Sequence, residues 1–207
     1  LREGYSMSDV FTTGILQRGR DGKLVEEGNG YQVDRSQRIR LGSADPDFTM
    51  GWRHDINYKN ISLGLMITGR FGGIVTSQTQ AFMDAFGVSK VSAEARDNGG
   101  VMLDGHRYDA ERYYNTVGGQ GLMSYYTYDA TNVRLQELSL TYSLPKKWLG
   151  DVFNNATISF VGRNLFMFYR KAPFDPDMNG STGTYNRSDF FMAPSLRNLG
   201  FSIKFSL

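Results

Sequence analysis

The chain of 207 residues is long enough for one large domain or two small ones, and its net charge of +2 gives no reason to expect a nucleic acid or a polybasic membrane contact. It contains no cysteine, which excludes a disulfide framework and a thiolate metal site. It has no apolar run of about 18 residues, so it predicts no transmembrane helix, but strands of about 9–11 alternating residues can also cross a membrane.

The first half of the chain predicts three strands. Residues 9–17 form a first alternating segment, and a polar connection follows over residues 18–47. Residues 48–71 carry two alternating runs on either side of Lys59-Asn60, a pattern typical of a hairpin with a tight turn. One face of this hairpin is apolar and the other is charged, because side chains along a strand point alternately to its two faces.

A very long connection follows over residues 73–131. Within it, apolar residues recur at helical spacing between positions 77 and 87, and Gly87 suits the end of a helix. We therefore expect one short helix in this loop. Aromatic residues cluster further along, at residues 107–114 and 124–129.

The last part of the chain predicts strands at residues 132–144, at residues 156–169 and from residue 199 to the C-terminus, with a polar loop over residues 170–194. In the first of these strands the apolar positions change from odd to even near Gln136-Glu137. An extra residue in one strand of a pair has this effect, so the change predicts a β-bulge.

The connections alternate between long and short, which is typical of outer-membrane barrels with long extracellular loops and short periplasmic turns. We therefore predict an all-β fold: an antiparallel transmembrane β-barrel of which this chain supplies five to six strands, with its C-terminus in the periplasm. Single-chain bacterial barrels have at least about eight strands, so the remaining strands are expected upstream in a longer polypeptide.

An alternative of a different class is a soluble, secreted β-sandwich that binds carbohydrate. It predicts that the apolar residues of the strands are buried in a protein core, whereas the membrane barrel predicts that they face lipid. The residues that distinguish the two are Leu63, Leu65, Ile158 and Ile203.

Three stretches of the chain resemble the C-terminal barrel segments of SusC/RagA-like TonB-dependent outer-membrane transporters of Bacteroidetes. They are "GSADPDFTMGWRHDINYKNISLGLMITGRFGG", "YYTYDATNVRLQELSLTYSLPKKWL" and "ISFVGRNLFMFYRKAPFDPDMNG". The stretch "TQAFMDAFGVSKVSAEARDNGGV" is similar to an extracellular-loop pattern in some members. The resemblance covers nearly the whole chain, in order.

The resemblance implies that residues 1–207 are the C-terminal part of a 22-stranded barrel whose plug and TonB-contact segment are not in this chain. The complete protein would take up glycan or peptide fragments across the bacterial outer membrane. Its expected partners are a SusD-like surface lipoprotein acting as a lid and the TonB complex, which supplies the energy. The loop aromatics would then contact sugar or the lid, or pack within the loops.

The expected functional residues lie on the polar face of the strands. Arg53, Asp55, Arg70 and Arg163 are candidates for lining the lumen and contacting substrate. "DPDMNG" matches the start of a calcium loop with Asp175, Asp177 and Asn179 as ligands, but the twelfth position is Asn186 where a glutamate is required. An ordinary polar turn is the competing interpretation. We expect no catalytic residue and no cofactor, because the chain lacks an elbow of the type G-x-S-x-G and its carboxylate pairs lie in polar loops.

Overall fold

The computed structural model describes residues 4–149, 153–178 and 188–206. The strands are β1 (Asp9–Leu16), β2 (Glu26–Glu27), β3 (Gly30–Tyr31), β4 (Val33–Ser43), β5 (Phe48–Tyr58), β6 (Ile61–Phe71), β7 (Ile74–Ser77), β8 (Val101–Leu103), β9 (His106–Tyr108), β10 (Thr127–Asp129), β11 (Asn132–Ser143), β12 (Asn155–Arg170), β13 (Ser188–Asp189) and β14 (Asn198–Ser206). The helices are α1 (Gln78–Ala85), α2 (Lys90–Asp97) and α3 (Ala110–Val117), with short 3-10 turns at Met123–Tyr125 and Lys146–Trp148.

The chain divides into two compact units, which we describe separately. The sheet unit comprises Pro46–Gly72, Ala130–Asp177 and Pro194–Leu207, and the helical unit comprises Leu1–Asp45, Gly73–Asp129 and Met178–Ala193. No helix among the described residues is both long enough and apolar enough to cross a membrane.

The sheet unit contains a five-stranded antiparallel sheet in the order β14-β12-β11-β6-β5. Its strands are those predicted from alternation at 48–71, 132–144, 156–169 and the C-terminal end. The predicted hairpin is confirmed: Tyr58 lies opposite Ile61, and Lys59 turns the chain with a φ of 52°. The predicted bulge is confirmed as well, because the register of β11 shifts between Leu135 and Glu137 against both of its neighbours.

The strand predicted at residues 9–17 exists as β1, but it does not extend this sheet. It pairs with β4 in a separate two-stranded sheet of the helical unit. The prediction that residues 18–47 are only a connection was therefore wrong. Strand β4 reads "VDRSQRIRLGS", and its central residues Arg35–Arg38 are exposed. A strand that is solvated on both faces lacks the apolar alternation by which strands are recognised.

The expectation of one short helix was also incomplete, since the described residues contain α2 and α3 in addition to α1. Both missed helices begin at a recognisable cap: Ser89 accepts a hydrogen bond from the Ser92 amide, and Asp109 accepts one from the Arg112 amide. Helix α2 buries only Ser92. A short helix with so small a buried face has almost no apolar periodicity, so the cap is its main signal in the sequence.

The helical unit has a hydrophobic core that is rich in tyrosine. Tyr108, Tyr113, Tyr114 and Tyr126 are buried in it together with Leu16, Leu24, Tyr31, Ala81, Ala110, Val117 and Leu122. Of the two interpretations of the loop aromatics, packing within the loops therefore holds for these four tyrosines. Tyr125 differs, because 38% of its surface remains exposed.

Candidate functional site: the polar face of the sheet

The register of the five-stranded sheet places like residues opposite one another across all its strands. On one face, a continuous apolar row runs across the sheet through Ile56, Leu63, Leu140, Phe160 and Phe201. Side chains opposite one another in neighbouring strands share a face, so such a row is a continuous apolar stripe.

Among the residues that the structure describes, no protein core covers this apolar face. Phe160 is 46% exposed and Phe201 is 67% exposed. The β-sandwich alternative requires Leu63, Leu65, Ile158 and Ile203 to be buried, but none of the four is, and Ile203 is 48% exposed. The sandwich alternative is therefore contradicted. The exposed apolar side chains form one continuous patch and are not scattered singly over the surface. Such a patch marks an interaction face.

The opposite face of the same strands is polar. One row across it consists of Asn57, Ser62, Thr141, Ser159 and Ser202. The Thr141 and Ser159 hydroxyls are hydrogen-bonded across the strands at 2.9 Å. The sequence-based assignment of an apolar and a polar face is thus confirmed by the strand register.

Charged residues lie further along the polar face. Arg53 Nε donates to Asp55 Oδ2 at 2.9 Å, and both side chains are more than half exposed. Arg163 Nε donates to Glu137 Oε2 at 3.0 Å. The register runs from Arg53 through Met66 to Glu137 and Arg163, so these charged residues share one row across the sheet, and Asp55 lies in the row next to it.

A second charged cluster is centred on Arg134 of β11, whose side chain is only 6% exposed, while Asp177 in the same cluster is 35% exposed. Its Nη2 atom lies 2.8 Å from Asp175 Oδ1 and 2.6 Å from Asp177 Oδ2. Nη1 donates to Asn164 Oδ1 at 3.2 Å, and Nε donates to Asn132 Oδ1 at 3.3 Å. The guanidinium therefore binds the loop after β12 to the sheet, because its planar arrangement of donors reaches several acceptors at once.

The two carboxyl groups of this cluster have opposite pKa shifts. Burial raises the pKa of Asp175, but hydrogen bonds from Ser195 and Arg134 outweigh it and hold the pKa below its ordinary value. Burial also raises the pKa of Asp177, and there the attraction of Arg134 does not compensate for burial and the nearby Asp175 charge, so its pKa stays raised. Of the two carboxyl groups, Asp175 therefore has the more strongly stabilised ionised form beside Arg134.

The structure places the predicted residues in different surroundings. Arg53, Asp55 and Arg163 lie on the exposed polar face. Arg70 is mostly buried, with its Nη1 atom 3.8 Å from Asp177 Oδ1. Of the calcium candidates, Asp175 and Asp177 both bind Arg134, whereas Asn179 lies outside the described residues. In the described part of the chain, no group of three acidic or histidine side chains is arranged to hold a metal ion.

Sequence reasoning missed the residue at the centre of the buried cluster. Arg134 occupies a polar position between Val133 and Leu135 of an alternating strand, so nothing in the sequence distinguishes it from an exposed arginine. Its partners lie 41 positions away at Asp175 and 30 positions away at Asn164. Alternation shows which face a side chain occupies but not which distant loop folds onto it.

One face of the sheet is apolar across five strands and the reverse face is polar, a pattern that the strands of transmembrane β-barrels share. The relatives in sequence are TonB-dependent receptors, and the predicted resemblance is confirmed. The chain is 29% identical over 222 residues to TonB-dependent receptor P3 of Formosa agariphila, covering 98% of this chain and 22% of the relative. It is 26% identical over 156 residues to TonB-dependent receptor P26 of the same organism, covering 73% of this chain and 15% of the relative.

The chain thus spans about a fifth or less of the length of these curated relatives. In structure it is similar to part of the RagAB peptide importer in its 'open-open' state, with a TM-score of 0.60 at 17% identity over 97% of this chain and 22% of that one. For the 'closed-closed' state the TM-score is 0.54 at 15% identity, over 94% and 21% of the two chains. At these identities the likeness shows the fold. No family model matches the chain.

Proposed function

We propose that this chain is a wall segment and part of the extracellular mouth of a TonB-dependent importer in the bacterial outer membrane. The observation that carries this proposal is the apolar row across the five-stranded sheet, which remains exposed while the reverse face is polar. Lipid covers the first face and the water-filled lumen lies on the second.

The strand lengths support a membrane-spanning wall. A transmembrane β-strand needs about 9–11 residues. Strands β5 and β6 have 11 residues each, and β14 has 9. Within hydrocarbon every backbone amide and carbonyl needs a partner in the protein, which a closed barrel provides. The outer edges of β5 and β14 would therefore pair with strands of the longer protein, completing the 22-stranded barrel expected for the family.

The polar face would line the lumen. Arg53, Asp55 and Arg163 are exposed and form ion pairs, so they would present charge to passing substrate. Arg70 is mostly buried beside Asp177 and would contribute to the wall behind them. The long connections at residues 18–47, 73–131 and 170–194 would form the mouth, where a SusD-like lipoprotein docks as a lid. The TonB complex would act on the plug, the C-terminus would lie in the periplasm, and the substrate would be an oligosaccharide or peptide fragment. Transport of this kind requires no catalytic residue in this chain.

The test is uptake by cells that express the complete protein or lack it. We expect the complete protein to remain in outer-membrane fractions after a carbonate wash. We also expect cells that lack it to lose uptake of a labelled peptide or oligosaccharide, and an uncoupler of the inner-membrane proton gradient to abolish uptake by cells that express it. A washed-off, soluble protein, or uptake that the uncoupler leaves unchanged, would contradict the proposal.

A further inference from the structure

A cavity in the helical unit lies against α1, α2 and α3. Its volume is about 300 Å³, at the lower end of the range for small-molecule sites. The lining side chains that matter are Asp84, Phe86, Ser92, Arg96, Glu111 and Tyr114.

Asp84 in this cavity is a buried acid without a cationic partner. Only 4% of its surface is exposed, and its Oδ1 atom accepts a hydrogen bond from Gln80 Nε2 at 2.7 Å. Within the described residues no lysine, arginine or histidine forms an ion pair with it. Burying a carboxylate without a cation is costly, so native structures usually provide one from the protein or from a ligand.

The groups around Asp84 do not neutralise it. Burial first, and the charge of Asp84 second, raise the pKa of Tyr114 and of Tyr128. The same two causes, in the same order, raise the pKa of Tyr126. These phenols therefore remain neutral and add no positive charge beside the carboxylate.

The remaining lining favours a cation over an anion. Glu111 adds a second acid, and the Phe86 ring, 77% exposed, adds an aromatic surface. The guanidinium of Arg96 also lines the cavity, and its Nη1 donates to the Gly87 carbonyl at 2.7 Å. With Asp84 and Glu111 the lining therefore carries two acids against one guanidinium, a net negative charge. The adjacent N-terminus of α3 is capped by its own Asp109. Carboxylates beside an aromatic ring are the usual surroundings of ammonium and guanidinium groups.

We propose that this cavity binds the cationic end of a small organic molecule, with the ammonium or guanidinium group against Asp84 and its carbon chain against Phe86. The carboxylate would accept charge-assisted hydrogen bonds from the ligand. This site does not depend on the proposed transport function.

The experiment is calorimetric titration of the complete protein in detergent with n-butylammonium chloride at fixed ionic strength. We expect measurable binding and at least about tenfold weaker binding by Asp84→Asn, which retains the side-chain volume and the acceptor for Gln80 but removes the charge. Asp97→Asn, an exposed acid at the end of α2, is the matched control and should bind as the unmodified protein does.

Neutral n-butanol distinguishes a cation site from an apolar pocket. We expect n-butanol to bind at least about tenfold more weakly than n-butylammonium, because it cannot replace the missing positive charge. Absence of butylammonium binding at millimolar concentration, equal affinity for the two probes, or unchanged binding by Asp84→Asn would each overturn the proposal.

Discussion

Arg134 and Asp175 show how a single buried charge holds a loop on a sheet. The guanidinium is shared among two carboxylates and two amides, and each carboxylate needs it because both are largely withdrawn from water. Breaking a buried ion pair by removing one partner is much more costly than breaking an exposed pair, because the remaining charge is left without compensation.

We predict that Arg134→Met lowers the local free energy of opening of the Asp175–Asp177 loop by about 3 kcal/mol, since both carboxylates lose their cation. Hydrogen–deuterium exchange of the complete protein measures this directly. The amides of Asp177 and Ser195, which donate to Asp175, should exchange faster by about two orders of magnitude. Arg53→Met is the matched control, because its ion pair is exposed and should cost less than about 1 kcal/mol. Equal changes in opening free energy for Arg134→Met and Arg53→Met would contradict the claim that burial strengthens the Arg134 ion pairs.

The opposite pKa shifts of Asp175 and Asp177 predict how the loop responds to acid. The pKa of Asp175 lies below its ordinary value of 3.8, so its stabilising contribution is present above that value and is lost as the pH falls through the folded-state pKa. The pKa of Asp177 is raised, so its charge destabilises the fold at neutral pH and is relieved when it is protonated at a higher pH than Asp175.

Protection of the loop against exchange, corrected for the intrinsic pH dependence, should therefore not fall on mild acidification. It should be lost only well below the ordinary aspartate range, when Asp175 is protonated. Asp177→Asn should remove the gain in protection that protonation of Asp177 brings and should leave the loss at lower pH. Asp175→Asn should weaken protection already at neutral pH. A loss of protection on mild acidification in the unmodified protein would show that Asp177, not Asp175, is the essential partner of Arg134.

The individual strands and helices show which sequence patterns were sufficient to predict them. The sheet strands alternate apolar and polar residues because one face of each meets a different medium from the other, so their bounds were predicted nearly to the residue. Strand β4 and helix α2 were missed because their exposed faces leave little apolar periodicity. Helix α3 buries Ala110, Tyr113, Tyr114 and Val117 at helical spacing, so its signal was present in the sequence and was overlooked. For the two helices the capping residues Ser89 and Asp109 would have been better guides.

Helix α1 offers a test at the scale of an element. Ser77 is buried, accepts a hydrogen bond from the Gln80 amide at 3.0 Å and donates to Asp189 Oδ2 at 2.8 Å. We predict that Ser77→Ala destabilises α1 by about 2 kcal/mol, because the cap is lost and a buried carboxylate loses a donor.

Ser89→Ala provides the control for this prediction, since Ser89 caps α2 in the same way but bonds no carboxylate. It should cost only about 1 kcal/mol. Hydrogen–deuterium exchange of the amides in the first turn of each helix measures both values. A loss in α2 as large as that in α1 would show that Asp189 contributes nothing.

At the scale of the whole molecule, the two faces of the sheet could be predicted because they follow from period-two alternation alone. The candidate site was only partly predictable. Arg53, Asp55 and Arg163 were identified from their face, but the pairing of Arg134 with Asp175 depends on a loop returning from a distant part of the chain. The cavity at Asp84 is likewise formed by side chains from three helices, of which α2 has little signal in the sequence.

The most direct test of the account is the medium that each face of the sheet contacts. Because the chain has no cysteine, single nitroxide labels can be placed on neighbouring residues of opposite faces, after any cysteine elsewhere in the complete protein is replaced by serine. In lipid bilayers, labels at Leu140→Cys and Phe201→Cys should collide mainly with dissolved oxygen. Labels at Ser139→Cys and Ser202→Cys should collide mainly with a water-soluble nickel chelate. Equal access of the chelate to all four positions, or labels at Leu140→Cys and Phe201→Cys shielded from both reagents, would contradict a membrane wall.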